Sequence, residues 1–306
     1  MENIYDMIII GGGPAGYTAA LYASRAGFNT VTVERMSPGG QMAITDIIDN
    51  YPGFEEGIDG FDLGIKMQRG AERFGAKTEY AEAVSVDLTQ KIKKVKTANG
   101  TLYGKTLVIA TGANPKELGI QNERELIGRG VHYCAHCDGR FYKNKTVAVV
   151  GGGNTAAADA LYLSRIAKKV YLIHRRDTLR ATKIYHEPLM QADNIEFLWN
   201  SAVTEFTADD RVTGTKITNL KTGDVTGIDC DGVFISIGRK PATDFVRGKL
   251  LLDVDGYIIA DETTRTDIPG VYAAGDVRTK ALRQVVTAVS DGAVAVHFAE
   301  KYLAEY

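Results

Sequence analysis

One pattern occurs twice in this 306-residue chain and limits its possible folds more than any other: an apolar run, a glycine-rich turn and a helix-compatible stretch. At the first occurrence Met7-Ile8-Ile9-Ile10 leads into Gly11-Gly12-Gly13-Pro14-Ala15-Gly16, with helix-compatible residues through Arg25. At the second, Thr146 to Val150 leads into Gly151-Gly152-Gly153-Asn154-Thr155-Ala156. G-x-G-x-x-G between a strand and a helix meets a physical need. The first glycine permits a tight turn, the second lets the backbone approach a pyrophosphate, and the third lets the helix pack closely, with the phosphates on the helix N-terminus. The repeat predicts an α/β protein with two Rossmann-like dinucleotide-binding modules.

The two copies differ where a ribose would be read. After the first turn the strand Thr30-Val31-Thr32-Val33 ends in Glu34, 21 residues beyond Gly13, where an acid hydrogen-bonds ribose hydroxyls. In the second copy Ala156 replaces the third glycine, and Val170-Tyr171-Leu172-Ile173 runs into His174-Arg175-Arg176, with Arg180 one helical turn on. Arginines supply bidentate donors for a 2′-phosphate, so this copy favours NADP over NAD; a solvated charge run is the alternative. The Glu34 copy, without a reader for a 2′-phosphate, suits FAD. Together they describe a flavin enzyme reduced by NADPH.

Between the modules stands Cys134-Ala135-His136-Cys137-Asp138. C-x-x-C holds two thiols close enough to form a small-ring disulfide and commonly lowers one thiol pKa. Asp138 is the candidate proton carrier for that chemistry. Structural zinc and inert buried cysteines are the alternatives. Zinc usually takes two separated ligand pairs, and here the third cysteine, Cys230, is solitary, while His132 and His136 lie too close to the cysteines to converge on one ion. Cys230, between Asp229 and Asp231, reads as a core or bystander residue.

Three cysteines make no secreted-type disulfide framework, and a net charge of −2 argues against nucleic acid or an anionic membrane as main partner. The start Met1-Glu2-Asn3-Ile4-Tyr5-Asp6 carries acids and no basic region, unlike a signal peptide, and no stretch reaches the roughly 20 apolar residues of a membrane span. A cytoplasmic protein is expected.

The order of elements predicts a discontinuous arrangement. Residues 1–113 hold the first module and close on Thr106-Leu107-Val108-Ile109-Ala110-Thr111-Gly112-Ala113. Residues 114–243 hold the dithiol and second module and close on the parallel phrase Gly232-Val233-Phe234-Ile235-Ser236-Ile237-Gly238. Residues 244–306, with the strand-to-turn phrase Gly270 to Val277 and a helix-like run from Arg283, are too few for a comfortable third domain and are expected to complete the first. Ala113 to Pro115 and Arg239 to Thr243 are then paired crossings that make a hinge.

Taken together, GGGPAG at 11–16, Gly39-Gly40-Gln41, Asn50-Tyr51-Pro52-Gly53, CAHCDG at 134–139, GGGNTA at 151–156, HRRDTLRA at 174–181, and Gly275-Asp276-Val277 followed by Arg283-Gln284 resemble the bacterial low-molecular-weight thioredoxin reductases. The likeness runs from Tyr5 to Ala304. It implies an FAD domain (three-layer ββα type) interrupted by an inserted NADPH domain, and a homodimer. It also implies a relay from NADPH through FAD and the Cys134/Cys137 dithiol to the disulfide of thioredoxin or a similar small dithiol protein, with the NADPH domain swinging between two orientations. Cys137 would face the flavin and Asp138 act as acid/base. The implied FAD contacts are Gly11, Gly13, Pro14, Ala15, Gly16, Glu34, Gly39, Gly40, Gln41, Asn50, Asp276, Val277, Arg283, Gln284 and Val285. The implied NADPH contacts are Gly151, Gly153, Asn154, Thr155, Ala156, His174, Arg175, Arg176 and Arg180. No metal is implied. The chain departs from the common pattern at His136, usually Thr, and at Ala158, where an acid often precedes Asp159. Ferredoxin-fed reductases and flavin dithiol oxidases share the fold but tend to lose the second turn or its arginines. An FAD and dithiol redox sensor is the non-enzyme alternative.

Overall fold

A computed structural model describes residues 4–45 and 47–306; the reading of Met1, Glu2 and Asn3 lies outside it. The chain divides into two compact units, residues 1–114 with 240–306 and residues 115–239.

The first unit begins β1 (Ile4–Ile10), α1 (Pro14–Arg25), β2 (Thr30–Glu34), α2 (Gly60–Glu72), β3 (Lys77–Tyr80), β4 (Ala83–Asp87), β5 (Lys93–Thr97), β6 (Gly100–Ile109) and β7 (Ala113–Pro115). The second holds β8 (Val131–His132), α3 (Ala135–Asp138), β9 (Thr146–Val150), α4 (Asn154–Ser164), β10 (Lys169–His174), α5 (His186–Gln191), β11 (Ile195–Trp199), β12 (Ser201–Ala208), β13 (Val212–Asn219), β14 (Val225–Asp229) and β15 (Gly232–Ile235). The return through β16 (Arg239–Pro241), β17 (Val271–Ala273) and α6 (Val285–Ala304) goes back to the first unit; β7 and β16 form a two-stranded ribbon.

In the first unit the sheet order is β3-β2-β1-β6-β5-β4, with β17 beside the C-terminal half of β6. Its β3, β2, β1, β6 and β17 run parallel, and β4-β5-β6 form an antiparallel meander. Successive side chains of a strand point to opposite faces, and β1 divides its apolar run accordingly. Met7 and Ile9 pack with Tyr17, Ala19 and Ala23 of α1 and Ala295 and Ala299 of α6, whereas Ile8 and Ile10 pack with Val86, Val95 and Ile258 on the other face. Burial on both faces explains why β1 reads as a continuous apolar run.

The second unit repeats the plan. Its parallel sheet, β11-β10-β9-β15-β8, packs Val147 and Val149 against Ala157 and Ala160 of α4 on one face. On the other, Ala148 and Val150 meet Val203, Phe206, Val212 and Ile217 of the antiparallel β12-β13-β14 meander. Both units are thus three-layer, Rossmann-like folds. The strand, turn and helix expected at each glycine motif are present; the C-terminal helix starts at Val285, two residues later than expected, because Gln284 and Thr287 form a reciprocal capping box. Among the described residues, no helix is long and apolar enough to cross a membrane.

Candidate active site

In the first unit, Gly11 and Gly16 are required by close approach, whereas a Cβ on Gly13 would meet only the Gly39 carbonyl oxygen, at 3.9 Å. Gly11 has φ +106°, and a Cβ on Gly16 would overlap the Gly11 carbonyl oxygen. Gly13 precedes α1 with no side-chain cap, and Pro14 stands at the first helical turn, so the backbone N–H groups of that turn remain for a ligand. Glu34 ends β2 as expected, but its carboxylate already braces the turn: Oε2 accepts from the Gly12 N–H at 2.7 Å and Oε1 from the Met36 N–H at 3.0 Å. Gly39 and Gly40, both with positive φ, join the same turn, since the Gly39 N–H donates to the Gly12 carbonyl at 2.8 Å. Gln41 donates to Asn114 Oδ1, and Asn50 donates to Gln284 Oε1 at the cap of α6. The turn carrying Gly275, Asp276 and Val277 packs beside Ala15, and Arg283 donates to the Asp276 and Arg278 carbonyls. Val285 opens α6. All these residues belong to the first unit.

In the second unit, Gly151 (φ +151°) turns the chain against the Ser236 carbonyl. A Cβ on Gly153 would meet nothing within 4 Å, and α4 also begins without a side-chain cap. That open position, with the uncapped first-turn amides of α4, has the shape and polarity a dinucleotide pyrophosphate requires, and α1 offers uncapped first-turn amides separately in the first unit. Arg175, Arg176 and Arg180 are exposed, and their loop is tied to the turn by the N–H groups of Arg180 and Ala181, which donate to the Gly152 carbonyl at 2.7 and 3.0 Å. Asn154 Oδ1 accepts from the Thr182 N–H; Thr155 is exposed and Ala156 fully buried. His174 sits differently from the arginines: it is buried, and a Cβ on Gly152 would overlap its ring. Burial, helped by the neighbouring Arg180, Arg176 and Arg175, pushes its pKa down, and its Nε2 has no hydrogen-bond partner.

Cys134 and Cys137 are joined by a disulfide, with Cα atoms 5.3 Å apart, across the single turn of α3. The N–H groups of Cys137 and Asp138 both donate to the Cys134 carbonyl. Gly139 brings α3 onto α4, where a Cβ would press on Tyr162 and Leu163. His136 is exposed, its ring 4.2 Å from that of Tyr162. Cys230 is buried in the second core, its thiol pushed up to about 12 by burial. Among the described residues, no cluster of three or more His, Cys, Asp or Glu could hold a metal ion.

Residues 5–292 match the family model for pyridine nucleotide-disulphide oxidoreductases. The chain belongs to this family. Within it, the chain is 47% identical over 305 residues to a thioredoxin reductase of Listeria monocytogenes, covering 99% of this chain and 95% of that protein. It is 45% identical over 309 residues to a thioredoxin reductase of Peptoclostridium acidaminophilum, covering 99% and 98%. The crystal structure of thioredoxin reductase from Streptococcus pyogenes superposes with a TM-score of 0.93 at 43% identity, covering 100% of both chains. As a pyridine nucleotide-disulphide oxidoreductase the protein is an oxidoreductase with the fold of a flavin and pyridine nucleotide enzyme.

Three features of this family member escaped sequence reasoning. Asp138 is not alone: its Oδ2 lies 3.2 Å from Nδ1 of the buried His132. Asp159, on α4, is buried and accepts from Ser236 Oγ at 2.5 Å. Asp291, on α6, binds the Gly275 N–H at 2.8 Å and the buried Arg278 through two bonds of 2.9 Å. Each joins residues far apart in the chain or hidden beneath a motif, so no local spacing announces it; an acid inside an apolar helical face, as Asp159 and Asp291 are, is the one available signal.

Proposed function

We propose that the protein is an NADPH-dependent thioredoxin-disulfide reductase, with residues 1–114 and 240–306 binding FAD and residues 115–239 binding NADPH and carrying the dithiol. The observation that carries this reading is the Cys134–Cys137 disulfide in the same unit as a glycine turn tied to an exposed arginine loop. Full-length relatives named thioredoxin reductase support it.

FAD, when bound, supplies the two-electron step between nicotinamide and disulfide. Gly11 to Gly16 would hold its pyrophosphate, Glu34 its ribose, and Gly39, Gly40, Gln41, Asn50, Asp276, Val277, Arg283, Gln284 and Val285 the remainder. Gly151, Gly153, Asn154, Thr155 and Ala156 would hold the pyrophosphate of NADPH, and Arg175, Arg176 and Arg180 its 2′-phosphate; His174 supports that turn from beneath. In the reduced protein one cysteine thiolate attacks the partner disulfide, giving a mixed disulfide and a partner thiolate that takes a proton. The second cysteine then attacks the mixed disulfide, restoring Cys134–Cys137 and releasing the second partner thiol. Asp138 moves the protons. A homodimer and a cytoplasmic location belong to the same proposal; light scattering tests the first and cell fractionation the second.

Anaerobic stopped-flow absorbance of the FAD-loaded protein with NADPH, then oxidised thioredoxin, is the test. The flavin should bleach with NADPH and recover with thioredoxin, and Cys134→Ser or Cys137→Ser should abolish recovery while sparing bleaching. Failure of NADPH to bleach the flavin overturns the reading in favour of a ferredoxin-fed or oxygen-using enzyme.

A further inference from the structure

Asp138, next to the dithiol in sequence, leads to two buried groups that the relay above does not use, His132 and Tyr142. His132, the last residue of β8, is 6% exposed, and Tyr142, after α3, is 2% exposed. The imidazole is clamped between rings: Phe234 of β15 stacks on it at 5.2 Å and Tyr142 meets it edge-on at 5.3 Å. Its Nε2 lies 2.6 Å from the Tyr142 hydroxyl, and its Nδ1 lies 3.2 Å from Asp138 Oδ2.

We propose that His132 is a positioning residue for Asp138, with Tyr142 fixing the imidazole tautomer, so that the acid/base group of the dithiol is the chain Tyr142–His132–Asp138. Burial pushes the Tyr142 pKa up, so its hydroxyl stays protonated and donates to Nε2. With Nε2 engaged by that hydroxyl, Nδ1 is the ring nitrogen left to face Asp138, 3.2 Å from Oδ2, where it orients the carboxylate. No proton is consumed in the chain itself. The charged and titratable groups around the chain include His136 on α3, Asp159 and Tyr162 on α4, and Lys145, Arg211, Cys230 and Asp231 on the Tyr142 side.

The inference rests on the thioredoxin reductase reading, in which Asp138 serves the dithiol, and its test separates the two. Single-turnover rates of the reduced, FAD-loaded protein with oxidised thioredoxin are measured against pH, and the limb carried by Asp138 is identified as the one lost in Asp138→Asn. Removal of an N–H donor favours the protonated carboxyl, so in His132→Phe that limb should move to higher pH by about one unit, a tenfold change in proton affinity. His132→Asn, whose amide restores a donor toward Asp138, should keep the limb near its wild-type position. The infrared difference between each protein and its Asp138→Asn counterpart isolates the Asp138 carboxyl stretch and reads the same ionisation without turnover. If His132→Phe and His132→Asn slow the reaction equally at every pH and leave the infrared titration in place, the role is packing alone and the inference falls. If His132→Phe does not fold, an infrared titration of His132→Asn and Tyr142→Phe decides it: the Asn variant should match wild type, Tyr142→Phe should shift in the same direction as lost donation, and no shift in Tyr142→Phe overturns the tautomer lock. Wild-type protein that fails to reduce thioredoxin overturns the functional reading and leaves the infrared comparison standing.

Discussion

Arg175 and Arg176 are exposed and, with Arg180, lie on a loop fixed to the Gly152 carbonyl, so their guanidinium groups are presented by a rigid base. A charge-assisted hydrogen bond contributes about 1.5–3 kcal/mol. Arg175→Ala or Arg176→Ala should therefore raise KM for NADPH about tenfold to a hundredfold while leaving KM for NADH nearly unchanged, which steady-state kinetics with the two nucleotides reads directly. Asp159 makes the opposite kind of case, a single charge in a dry place. Burial drives its carboxyl above the usual carboxylate range, opposed by the Ser236 hydrogen bond. A raised folded-state pKa means the folded protein holds the proton more tightly, so this residue's contribution to stability is present at acid pH and is lost as pH rises through the folded value. Asp159→Asn should melt higher than wild type at pH 8 by an amount worth about 1 kcal/mol, and the advantage should vanish near pH 4. Thermal unfolding at both pH values checks the sign. The arginines were legible in the sequence because they follow a strand at a motif's known spacing; the burial of Asp159 beneath Ser236 was not, because the two residues meet only once α4 lies on the sheet.

Each strand, turn and helix at a glycine motif depends on positions that look alike in sequence and differ in space. A Cβ at Gly16 would drive into the Gly11 carbonyl, backbone that has no room to yield, whereas a Cβ at Gly153 would meet nothing within 4 Å. Gly16→Ala should therefore separate α1 from the turn, costing about 1–3 kcal/mol and weakening flavin retention. Gly153→Ala should leave the melting temperature within about 1 °C, since it is only a small surface change, and raise KM for NADPH, because the methyl enters the nucleotide's space. Melting curves and kinetics on the pair test whether the second position is reserved for a ligand. Both modules could be read from the sequence because glycine spacing, strand length and the ending acid or arginine are local facts. Glu34 shows where that reading thins: its place at the end of β2 was legible, but its grip on the Gly12 N–H was not. The antiparallel meanders left no distinctive mark either, since strands such as β14 are short, mostly exposed and built from ordinary turn-flanked residues.

Across the whole molecule, the chain leaves the first unit after 114 and returns at 240, so the last third of that unit is synthesised after all of the second. What holds the returning segment is therefore a distinct question from what holds either sheet. Part of the answer is apolar, the small residues of α6 on α1, where a Cβ on Gly292 would overlap the Ala15 carbonyl. The polar part is Asp291. Burial disfavours its charge, yet Arg278 and Lys280 hold its carboxyl below the usual carboxylate range, and the Gly275 N–H adds a further donor. A depressed pKa contributes stability above the unfolded value near 3.9 that is lost as pH falls through the folded one, so the segment's attachment weakens only in strong acid. Asp291→Asn removes the charge while Arg278 stays 2% exposed, and breaking such a buried pair typically costs about 3–5 kcal/mol. In a unit of this size that amounts to a fall in melting temperature on the order of 10 °C. The loss should be confined to the first unit, because the second has its own buried clusters. The chain's single tryptophan, Trp199, lies on β11 and is stacked on Phe197 within the second unit, giving a reporter of that unit. Hydrogen exchange of α1 and α6 should thus accelerate in Asp291→Asn at temperatures where Trp199 fluorescence still reads native. A single transition in which both signals fall together would show that the two units melt as one.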